Sequence, residues 1–344
     1  MGGQWWGGEF KLSFRIEYEI GVIGAGAWGT TLAAYLTKSG RSVLLWAYEE
    51  TVRDEINTSH RNSMYLPGFE LPDDLDATTR MEDFRSIDRL IIAIPSMFYV
   101  ETIDKLEPFV STATRILSAT KGFIDSDLTR PSQFLDDAIP ENHFGVISGP
   151  NLSREIMAGL PAISLVASRY QNLISEFQNL LSGEYFRVYG GTDVAGTELG
   201  GALKNIIAVA AGIADGLQLG ENALAAIITR GLAEMIKLGE KLGAESRTFF
   251  GVSGLGDLVC TSHSTLSRNH ELGRRIALGE SLDSVTSSLK SIAEGVGTTK
   301  HVHTYAMKNG IELPITHAVY KMLFEKADPD TVIRELMTRT LKME

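Results

Sequence analysis

The sequence has one cysteine, few prolines and no long hydrophobic run, and each shortage excludes a class of protein. Its single cysteine, Cys260, cannot form an internal disulfide, so a disulfide scaffold and a cysteine-based metal site are both excluded. Ten prolines and 34 glycines in 344 residues do not form a collagen or low-complexity chain. The longest uncharged apolar stretch, 205–214, is about half as long as a membrane span.

Acidic residues outnumber basic ones by 43 to 32, which gives a formal net charge of −11. Such a surface repels a phosphate backbone, which argues against general nucleic-acid binding, whereas a few cations in one cleft can still bind a small anion. Residues 1–19 lack the continuous apolar run of a signal peptide. We therefore expect a cytoplasmic protein without a membrane span, with an N-terminal extension of unknown role over 1–19.

Two hydrophobic patterns divide the rest of the chain near residue 193. Short runs rich in Val, Ile and Leu alternate with helix-length segments in the first part, as is typical of parallel β-α-β units. These runs are 20–23, 43–46, 90–94, 115–118, 144–148, 163–167 and 186–189. From about residue 195 hydrophobic residues recur every three or four positions, which indicates helices. We predict an α/β domain with a Rossmann-type doubly wound sheet over 20–193, followed by an all-α domain over 194–344.

The first β-α-β unit carries a glycine pattern typical of dinucleotide binding. The run Ile20–Ile23 leads directly into Gly24, Gly26 and Gly29, and a helical pattern continues as far as Gly40. The first glycine of such a pattern allows a tight turn, the second lets the backbone approach a pyrophosphate, and the third lets helix and strand pack closely. We predict an NAD(P) site here, with the phosphates at the positive end of the helix.

The usual marker of cofactor preference is missing at the end of the second predicted strand. An acid there binds the ribose 2′-hydroxyl of NAD, and an arginine accommodates the 2′-phosphate of NADP. The sequence has Ala47 followed by Tyr48, and the arginines nearby are Arg41 and Arg53. The choice between NAD and NADP stays open, with Tyr48 as a candidate for stacking on adenine and either arginine as a candidate for the 2′-phosphate.

Two lysines occur where a lysine can take part in chemistry. Lys121 follows a predicted strand, which places its ammonium at the carboxyl edge of the sheet, where α/β enzymes bind ligands. Lys204 lies among small and apolar residues in 200–208, and burial there would lower its pKa toward the range useful for proton transfer. For a lysine taken alone, a surface position is the commoner explanation.

A glycine-rich segment and a basic tripeptide complete the candidate residues. The segment Gly251–Gly256 leads into Asp257, whose carboxylate is suited to pairing with a catalytic lysine. Ser267, Arg268 and Asn269 follow and offer several donors for a phosphate dianion. Taken separately, these two motifs also fit an ordinary turn and a helix cap.

Taken together, the motifs resemble the bacterial-type glycerol-3-phosphate dehydrogenase [NAD(P)+] family from about residue 20 to 340. Eight segments carry the resemblance: Gly24–Gly29, Tyr65–Gly68, Thr120–Gly122, Ser148–Pro150, Gly200–Asn205, Gly254–Asp257, Ser267–Asn269 and Glu294–Gly295. The resemblance implies reversible hydride transfer between NAD or NADP and the pair dihydroxyacetone phosphate and sn-glycerol 3-phosphate, which supplies glycerol phosphate for phospholipid synthesis. It also implies a homodimer.

The resemblance further implies roles for individual residues. Lys204 is the expected proton donor and acceptor, Lys121 contacts substrate and cofactor, and Asp257 supports the two lysines. The expected substrate contacts are Lys121, Gly149, Asn151, Lys204, Asp257, Ser267, Arg268 and Asn269. The expected cofactor contacts are Gly24, Gly26, Ala27, Trp28, Gly29, Tyr48, Lys121, Ser153, Arg268, Ile292 and Glu294. Three positions depart from the family's pattern: Asn151 replaces Ser or Thr, Ser153 replaces Ala, and Tyr48 replaces Arg or His.

Other functions fit the sequence less well. A reductase of 2-hydroxy or 3-hydroxy acids would keep the dinucleotide fold but bind a carboxylate, and an NAD(H) sensor would need no buried lysine beside an acid. A kinase P-loop and a hydrolase nucleophile elbow find no support, because the chain has no Gly-Lys dipeptide and Gly251–Leu255 lacks the final glycine. His301 and His303 would point to different faces of a helix, so no metal site is predicted.

Overall fold

An eight-stranded sheet forms the first half of the chain in the computed structural model, which describes residues 18–288 and 293–340. The strands are β1 Ile20–Ile23, β2 Val43–Trp46, β3 Asp76–Thr78, β4 Arg89–Ile92, β5 Arg115–Ser118, β6 His143–Ser148, β7 Ala162–Ala167 and β8 Phe186–Gly191. Their order across the sheet is β3-β2-β1-β4-β5-β6-β7-β8. The order reverses at β1, and open α/β sheets bind ligands at the carboxyl edge beside such a point.

Six α-helices accompany this sheet. They are α1 Ala27–Lys38, α2 Glu50–Ser59, α3 Tyr99–Leu106, α4 Pro131–Ala138, α5 Ser153–Met157 and α6 Gln171–Leu181. The residues of β1 and β2 are all buried, as expected of strands covered on both faces. The prediction of a doubly wound α/β sheet is confirmed.

The sheet differs from the predicted one at two places. The three-residue strand β3 was not predicted, because Asp76–Thr78 lies at an edge and has no apolar run. Strands β7 and β8 are parallel to each other, but β7 runs antiparallel to β6. The connection from β6 to β7 contains only the five-residue helix α5, which is about 7.5 Å long and too short to return the chain across the sheet. The chain therefore turns back at the carboxyl edge.

The described residues from 194 onward contain helices and no strand, as predicted. These helices are α7 Val194–Gly216, α8 Glu221–Lys241, α9 Asp257–His263, α10 Arg268–Ala277, α11 Leu282–Ser288, α12 Glu294–Lys308, α13 Pro314–Phe324 and α14 Pro329–Met337. Asp193 caps α7, where its carboxylate accepts a hydrogen bond from the amide of Gly196 at 2.8 Å. A one-turn π-helix, Val252–Gly256, leads into α9.

Helix α7 is the centre of the helical half. By length and composition alone this helix could cross a membrane, but 89% of its 18-residue apolar segment is buried inside the fold. Two glycines let α7 and α10 cross closely, because a Cβ at Gly212 would lie 1.9 Å from the carbonyl oxygen of His270, and one at Gly273 would lie 2.1 Å from that of Val209. This crossing fixes where α10 begins relative to Lys204 on α7.

The hydrophobic core is divided between the two halves of the chain. Two clusters of buried residues pack around the sheet and contain no residue beyond Val188. A third cluster consists of residues from Leu199 onward, joined by Phe123 and Leu128 from the segment after β5. Of the predicted extension 1–19, residues 1–17 lie outside the described residues, and the Tyr18 hydroxyl donates to Asp76 of β3 at 2.8 Å.

Two carboxylates of the helical half bind the sheet half directly. Glu198 of α7 accepts from the amide of Ser132 at 2.9 Å and pairs with the Arg130 guanidinium at 3.1 Å, at the start of α4. Glu294 of α12 accepts from the amide of Ser96 at 3.0 Å and from its hydroxyl at 2.9 Å, just after β4. Glu198 is buried and Glu294 is half-buried, and the loss of solvent around each carboxylate raises its pKa.

Candidate active site

A cleft runs along the carboxyl edge of the sheet, below the helical half. Its inner cavity, of about 340 Å³, is lined by eleven of the predicted site residues: Gly26, Ala27, Trp28, Lys121, Asn151, Ser153, Lys204, Ser267, Arg268, Asn269 and Glu294. Its outer cavity, of about 440 Å³, is lined by five of them: Gly24, Gly26, Ala27, Tyr48 and Arg268. Because Gly26, Ala27 and Arg268 line both cavities, the two join into one cleft.

The remaining predicted residues lie at other positions. Gly29 and Asp257 are buried directly behind residues that line the cleft. Gly149 contributes its carbonyl oxygen, which accepts a hydrogen bond from Lys121 at 3.0 Å. Ile292 lies outside the described residues.

The carboxylate of Asp257 joins the two lysines. Its Oδ1 accepts a hydrogen bond from Nζ of Lys204 at 2.6 Å, and its Oδ2 accepts one from Nζ of Lys121 at 2.7 Å. Lys121 follows β5 in the sheet half, whereas Lys204 and Asp257 belong to α7 and α9 of the helical half. The cluster is therefore complete only when both halves are in place.

Each ammonium group keeps one N–H free for a ligand. Lys204 donates to Asp257 and to the hydroxyl of Thr261 at 2.6 Å, and Lys121 donates to Asp257 and Gly149. An ammonium group has three donors, so one remains on each lysine, and both lysines line the inner cavity. The two remaining donors are suited to a substrate oxygen.

Burial and charge act in opposite directions on this cluster. Burial lowers the pKa of Lys204 to about 8, despite the opposing effect of the Asp257 carboxylate. Burial alone would raise the pKa of Asp257, but the ammonium groups of Lys121 and Lys204 outweigh it, so that the pKa lies below its ordinary value. A lysine with a pKa near 8 exchanges a proton readily at neutral pH, as a general acid and base must.

Arg268 has an exposed side chain that lines the cleft and has no ion pair among the described residues. It opens α10 and lines both cavities, and its N-terminal neighbour Ser267 caps the helix by accepting from the amide of His270 at 3.2 Å. Desolvation in the cleft lowers the pKa of Arg268, and Glu294 is the carboxylate that opposes this effect. A guanidinium without a partner that lines the cleft at the positive end of a ten-residue helix is suited to binding an anion.

The inner cavity is positive although the chain is acidic overall. Lys121, Arg154, Lys204 and Arg268 line it, against the carboxylates of Glu294 at its wall and Asp257 behind it. These four cations and two anions give a local net charge of +2, compared with −11 for the whole chain. The cavity therefore attracts a small dianion.

Two asparagines hold the start of α12 against α7. The Asn269 carboxamide accepts from the amide of Gly295 at 2.9 Å and donates to the carbonyl oxygen of Asn205 at 2.9 Å. Asn205 lines the inner cavity directly after Lys204, and its amide N–H groups are available there. Asn269 thus positions Asn205 and Glu294 in addition to lining the cavity itself.

Asn151, one of the departures from the family's pattern, bonds to the sheet. Its amide nitrogen donates to the Ser164 hydroxyl at 2.8 Å, and its carbonyl oxygen accepts from the same hydroxyl at 3.0 Å. Both functional groups are therefore tied to β7, although the residue lines the inner cavity. Ser153, another departure, opens α5 beside it.

The glycines leave an open cradle for a dinucleotide. A Cβ at Gly26 would meet no atom within 4 Å, whereas one at Gly29 would lie 1.8 Å from the carbonyl oxygen of Gly24. Gly26 is the N-cap of α1, and the first turn of this helix has no side-chain cap and no acid. The first amides of α1 therefore remain available to pyrophosphate oxygens, so the residues present fit NAD or NADP.

Neither arginine near β2 lines the cleft. Arg41 precedes β2, at the amino edge of the sheet, and pairs with Glu19 at 3.1 Å. Arg53 pairs with Asp54 at 2.7 Å and donates to the hydroxyl of Thr79 at 3.3 Å. Tyr48 is 71% exposed at the wall of the outer cavity, where an adenine ring can stack on it.

Several residues of the site were not among the predicted contacts, and Thr261 and Ser96 are the two that hold predicted residues in place. Thr261 contacts Lys204 and donates to Oδ1 of Asp257 at 3.1 Å. Its position four residues after Asp257 places both on one helix face, which is the signal that could have found it. Ser96, the partner of Glu294, follows β4 at the carboxyl edge and had no marker beyond that position.

The sequence and the fold are both similar to those of known proteins of one family. A family model described as the N-terminus of NAD-dependent glycerol-3-phosphate dehydrogenase matches residues 19–174, and the model of its C-terminus matches residues 193–334. The chain is 43% identical to the glycerol-3-phosphate dehydrogenase [NAD(P)+] of Syntrophotalea carbinolica, over 94% of this chain and 99% of that one. It is 41% identical to the enzyme of that name from Solidesulfovibrio magneticus, over 95% and 100% of the chains. The crystal structure of glycerol-3-phosphate dehydrogenase from Coxiella burnetii superposes with a TM-score of 0.90 at 36% identity, over 94% and 99%.

Proposed function

The chain belongs to the family of NAD-dependent glycerol-3-phosphate dehydrogenases, and we propose that Lys204, Lys121 and Asp257 form its catalytic centre. The protein is an NAD(P)-dependent oxidoreductase that interconverts dihydroxyacetone phosphate and sn-glycerol 3-phosphate. The observation that carries the assignment of the centre is the buried carboxylate of Asp257, which binds one lysine with each oxygen. The sn-glycerol 3-phosphate that the enzyme forms supplies phospholipid synthesis.

Lys204 is the general acid and base of this proposal. When bound, the reduced cofactor would supply the hydride for the ketone carbon, and the oxidised cofactor would accept it in the reverse reaction. Nζ of Lys204 gives its proton to the developing alkoxide during reduction and removes it from the hydroxyl during oxidation. Positioned acids of this kind contribute about 10² to 10⁴-fold to the rate. Lys121 directs its remaining N–H at the substrate oxygens and keeps the carboxylate of Asp257 in place.

Arg268 binds the phosphate group of the substrate at the start of α10. The forked guanidinium lines the inner cavity at the positive end of the helix, and this cavity carries a local positive charge. Ser267 and Asn269 flank the arginine and supply further polar contacts. Gly149 and Asn151 complete the wall on the sheet side.

The residues that line the outer cavity and the wall shared with the inner cavity would hold the cofactor. Gly24, Gly26 and Gly29 shape the turn that receives the pyrophosphate, and the backbone at Ala27 and Trp28 continues it. Tyr48 would stack on the adenine, and Lys121, Ser153, Arg268 and Glu294 would contact the nicotinamide end. Glu294 is held for this purpose by Ser96. Ile292, the other predicted cofactor contact, lies outside the described residues.

Replacing Lys204 tests the catalytic assignment. Lys204→Ala should lower kcat at least about 100-fold with dihydroxyacetone phosphate, because the positioned acid is lost. Binding of NADH, measured by calorimetry, should stay within about twofold, since the glycine turn is untouched. The exposed Lys241→Ala serves as the control and should keep full activity. Turnover of the Lys204 variant near that of the control would refute the assignment.

Replacing Arg268 tests the phosphate assignment. Arg268→Ala should raise the KM for dihydroxyacetone phosphate by about 10- to 100-fold, because a charge-assisted contact is lost. Arg274→Ala on the same helix, whose side chain pairs with Glu271 at 2.8 Å, is the matched control. Steady-state assays should include a panel of 2-keto and 3-keto acids. Equal turnover of a keto acid would favour the hydroxy-acid alternative, and an unchanged KM would refute the role of Arg268.

Domain limits, assembly and location complete the proposal. The dinucleotide domain spans 20–193 and the substrate domain 194–344, which the separate hydrophobic clusters support. The enzyme is a homodimer, and the exposed apolar side chains of Leu219 and Phe250 in the helical half support a contact there. It works in the cytoplasm, in keeping with its single thiol. Light scattering after size exclusion should give twice the chain mass, and cell fractionation should recover the protein with cytoplasmic markers.

A further inference from the structure

We propose that Glu49 makes this enzyme select NADH over NADPH. Glu49 lies three residues beyond the end of β2 and lines the outer cavity together with Gly24, Gly26 and Tyr48. It also lies 20 residues after Gly29, which is the spacing at which dinucleotide-binding units carry the acid for the ribose 2′-hydroxyl. The inference rests on the NAD(P) function and concerns which of the two cofactors the site accepts.

The carboxylate of Glu49 is held in place. The hydroxyl of Tyr65, which lines the same cavity, donates to its Oε1 at 2.6 Å. Burial and the neighbouring carboxylate raise the pKa of Tyr65 to about 12, so the phenol remains the donor and the carboxylate the acceptor at neutral pH. One oxygen is thus fixed by the protein, and Oε2 is left to accept from a ribose hydroxyl.

No free cation compensates this charge among the described residues of the outer cavity near β2. Lys105 lines the cavity but donates to Glu101 at 2.6 Å, and Glu101 lines the same wall. Arg268, the other cation of this cavity, lies at the wall shared with the inner cavity. The charges of Glu49, Glu101 and Lys105 add up to −1 at the ribose end.

A fixed negative charge affects the two cofactors oppositely. The 2′-hydroxyl of NADH donates to the carboxylate in a charge-assisted hydrogen bond. The 2′-phosphate of NADPH has no proton to donate to it at neutral pH and meets a like charge at close range, which weakens binding strongly. The site therefore gains affinity for NADH from the same group that excludes NADPH.

Calorimetric titration of the full-length protein with NADH and NADPH tests this role without relying on turnover. The wild-type protein should bind NADH at least about tenfold more tightly than NADPH in 50 mM salt. Glu49→Gln, which keeps the size of the side chain, should bring the two dissociation constants within about threefold, with tighter binding of NADPH. In the wild-type protein, 0.5 M salt should narrow the difference, because salt screens the repulsion.

Glu50→Gln is the matched control. It removes the same charge one residue further on, from a side chain that is 77% exposed and lies outside the cavity lining, so the preference should stay as in the wild-type protein. Tyr65→Phe keeps the negative charge of Glu49 but removes the hydrogen bond that holds its carboxylate in place. This variant should bind NADH about threefold more weakly, while NADPH remains the weaker ligand. Equal wild-type affinities, or an unchanged ratio in Glu49→Gln, would overturn the role of Glu49. Binding of neither dinucleotide would overturn the cofactor function as well.

Discussion

The two ends of the cleft are built in different ways. The inner end depends on charged side chains from both halves of the chain, and Lys204 and Asp257 are 7% and 1% exposed there. The outer end depends mainly on backbone from the sheet half, and its aromatic side chains Tyr48 and Phe98 are 71% and 44% exposed. Proton transfer requires fixed distances between side chains, whereas a pyrophosphate requires open amides and empty space.

This contrast predicts that the two ends respond to different kinds of substitution. Removing a charge should have its largest effect at the inner end, since the carboxylate of Asp257 binds both lysines there. Adding a methyl group should have its largest effect at the outer end, since glycine backbone forms its surface.

The strongest test of the contrast is Asp257→Asn. This change leaves two ammonium groups without their carboxylate, so kcat should fall by about 100-fold or more. The pKa of Lys204 should drop below about 8, because the charge that opposes the effect of burial is lost. The pH dependence of ketone reduction should then shift to lower pH in steady-state assays.

Asp215→Asn is the control for this variant. Asp215 lies on α7 like Lys204 but is exposed, so kcat and its pH dependence should not change. An Asp257 variant with an unchanged pH profile would show that the lysines do not depend on this carboxylate.

A second test compares two glycines at the outer end. Gly26→Ala should fold with wild-type stability, because its Cβ meets no protein atom, but should bind NADH about tenfold more weakly, because the methyl group enters the cradle. Gly29→Ala should instead lower the free energy of unfolding by about 3 kcal/mol, since its Cβ would press on the carbonyl oxygen of Gly24. Thermal unfolding and calorimetry separate the two effects. Tight NADH binding by the Gly26 variant would contradict the cradle.

The smallest expected effect is the pH dependence of the unmodified enzyme. With a pKa of about 8, Lys204 is protonated below pH 8 and neutral above it. The kcat/KM of ketone reduction should therefore fall about fivefold between pH 8 and 9, as the acid form is lost. Alcohol oxidation needs the neutral lysine, so its kcat/KM should rise with pH and level off above about 8. The same trend in both directions would show that another group controls the proton transfer.

Much of the fold could be predicted from local pattern. Seven of the eight strands have apolar runs, and the long helices repeat hydrophobic residues every three or four positions. The direction of β7 could not be predicted, because it depends on how short α5 is, and Ser153–Met157 carries no strong helix signal. Strand β3 was not predicted because its three residues are extended through pairing with β2 and not through an apolar run of their own.

The site was less accessible to sequence reasoning than the fold. Motifs identified Lys121, Lys204 and Asp257 as candidates, but only coordinates show that each lysine takes a different oxygen of one carboxylate. The bond between Glu294 and Ser96 joins residues 198 positions apart, and no local pattern encodes such a contact. Glu49 was not predicted because an acid is expected directly after the strand, where the chain has Ala47. Glu49 lies two residues further on.

The sharing of Asp257 between two lysines also makes the catalytic centre depend on contact between the two halves of the chain. One lysine comes from each half of the chain, so a molecule whose halves have drifted apart has no assembled acid to complete ketone reduction. The bonds of Glu198 and Glu294 to the sheet half hold the two halves together. Hydride transfer from the reduced cofactor is therefore completed only when the two halves of the chain are in contact.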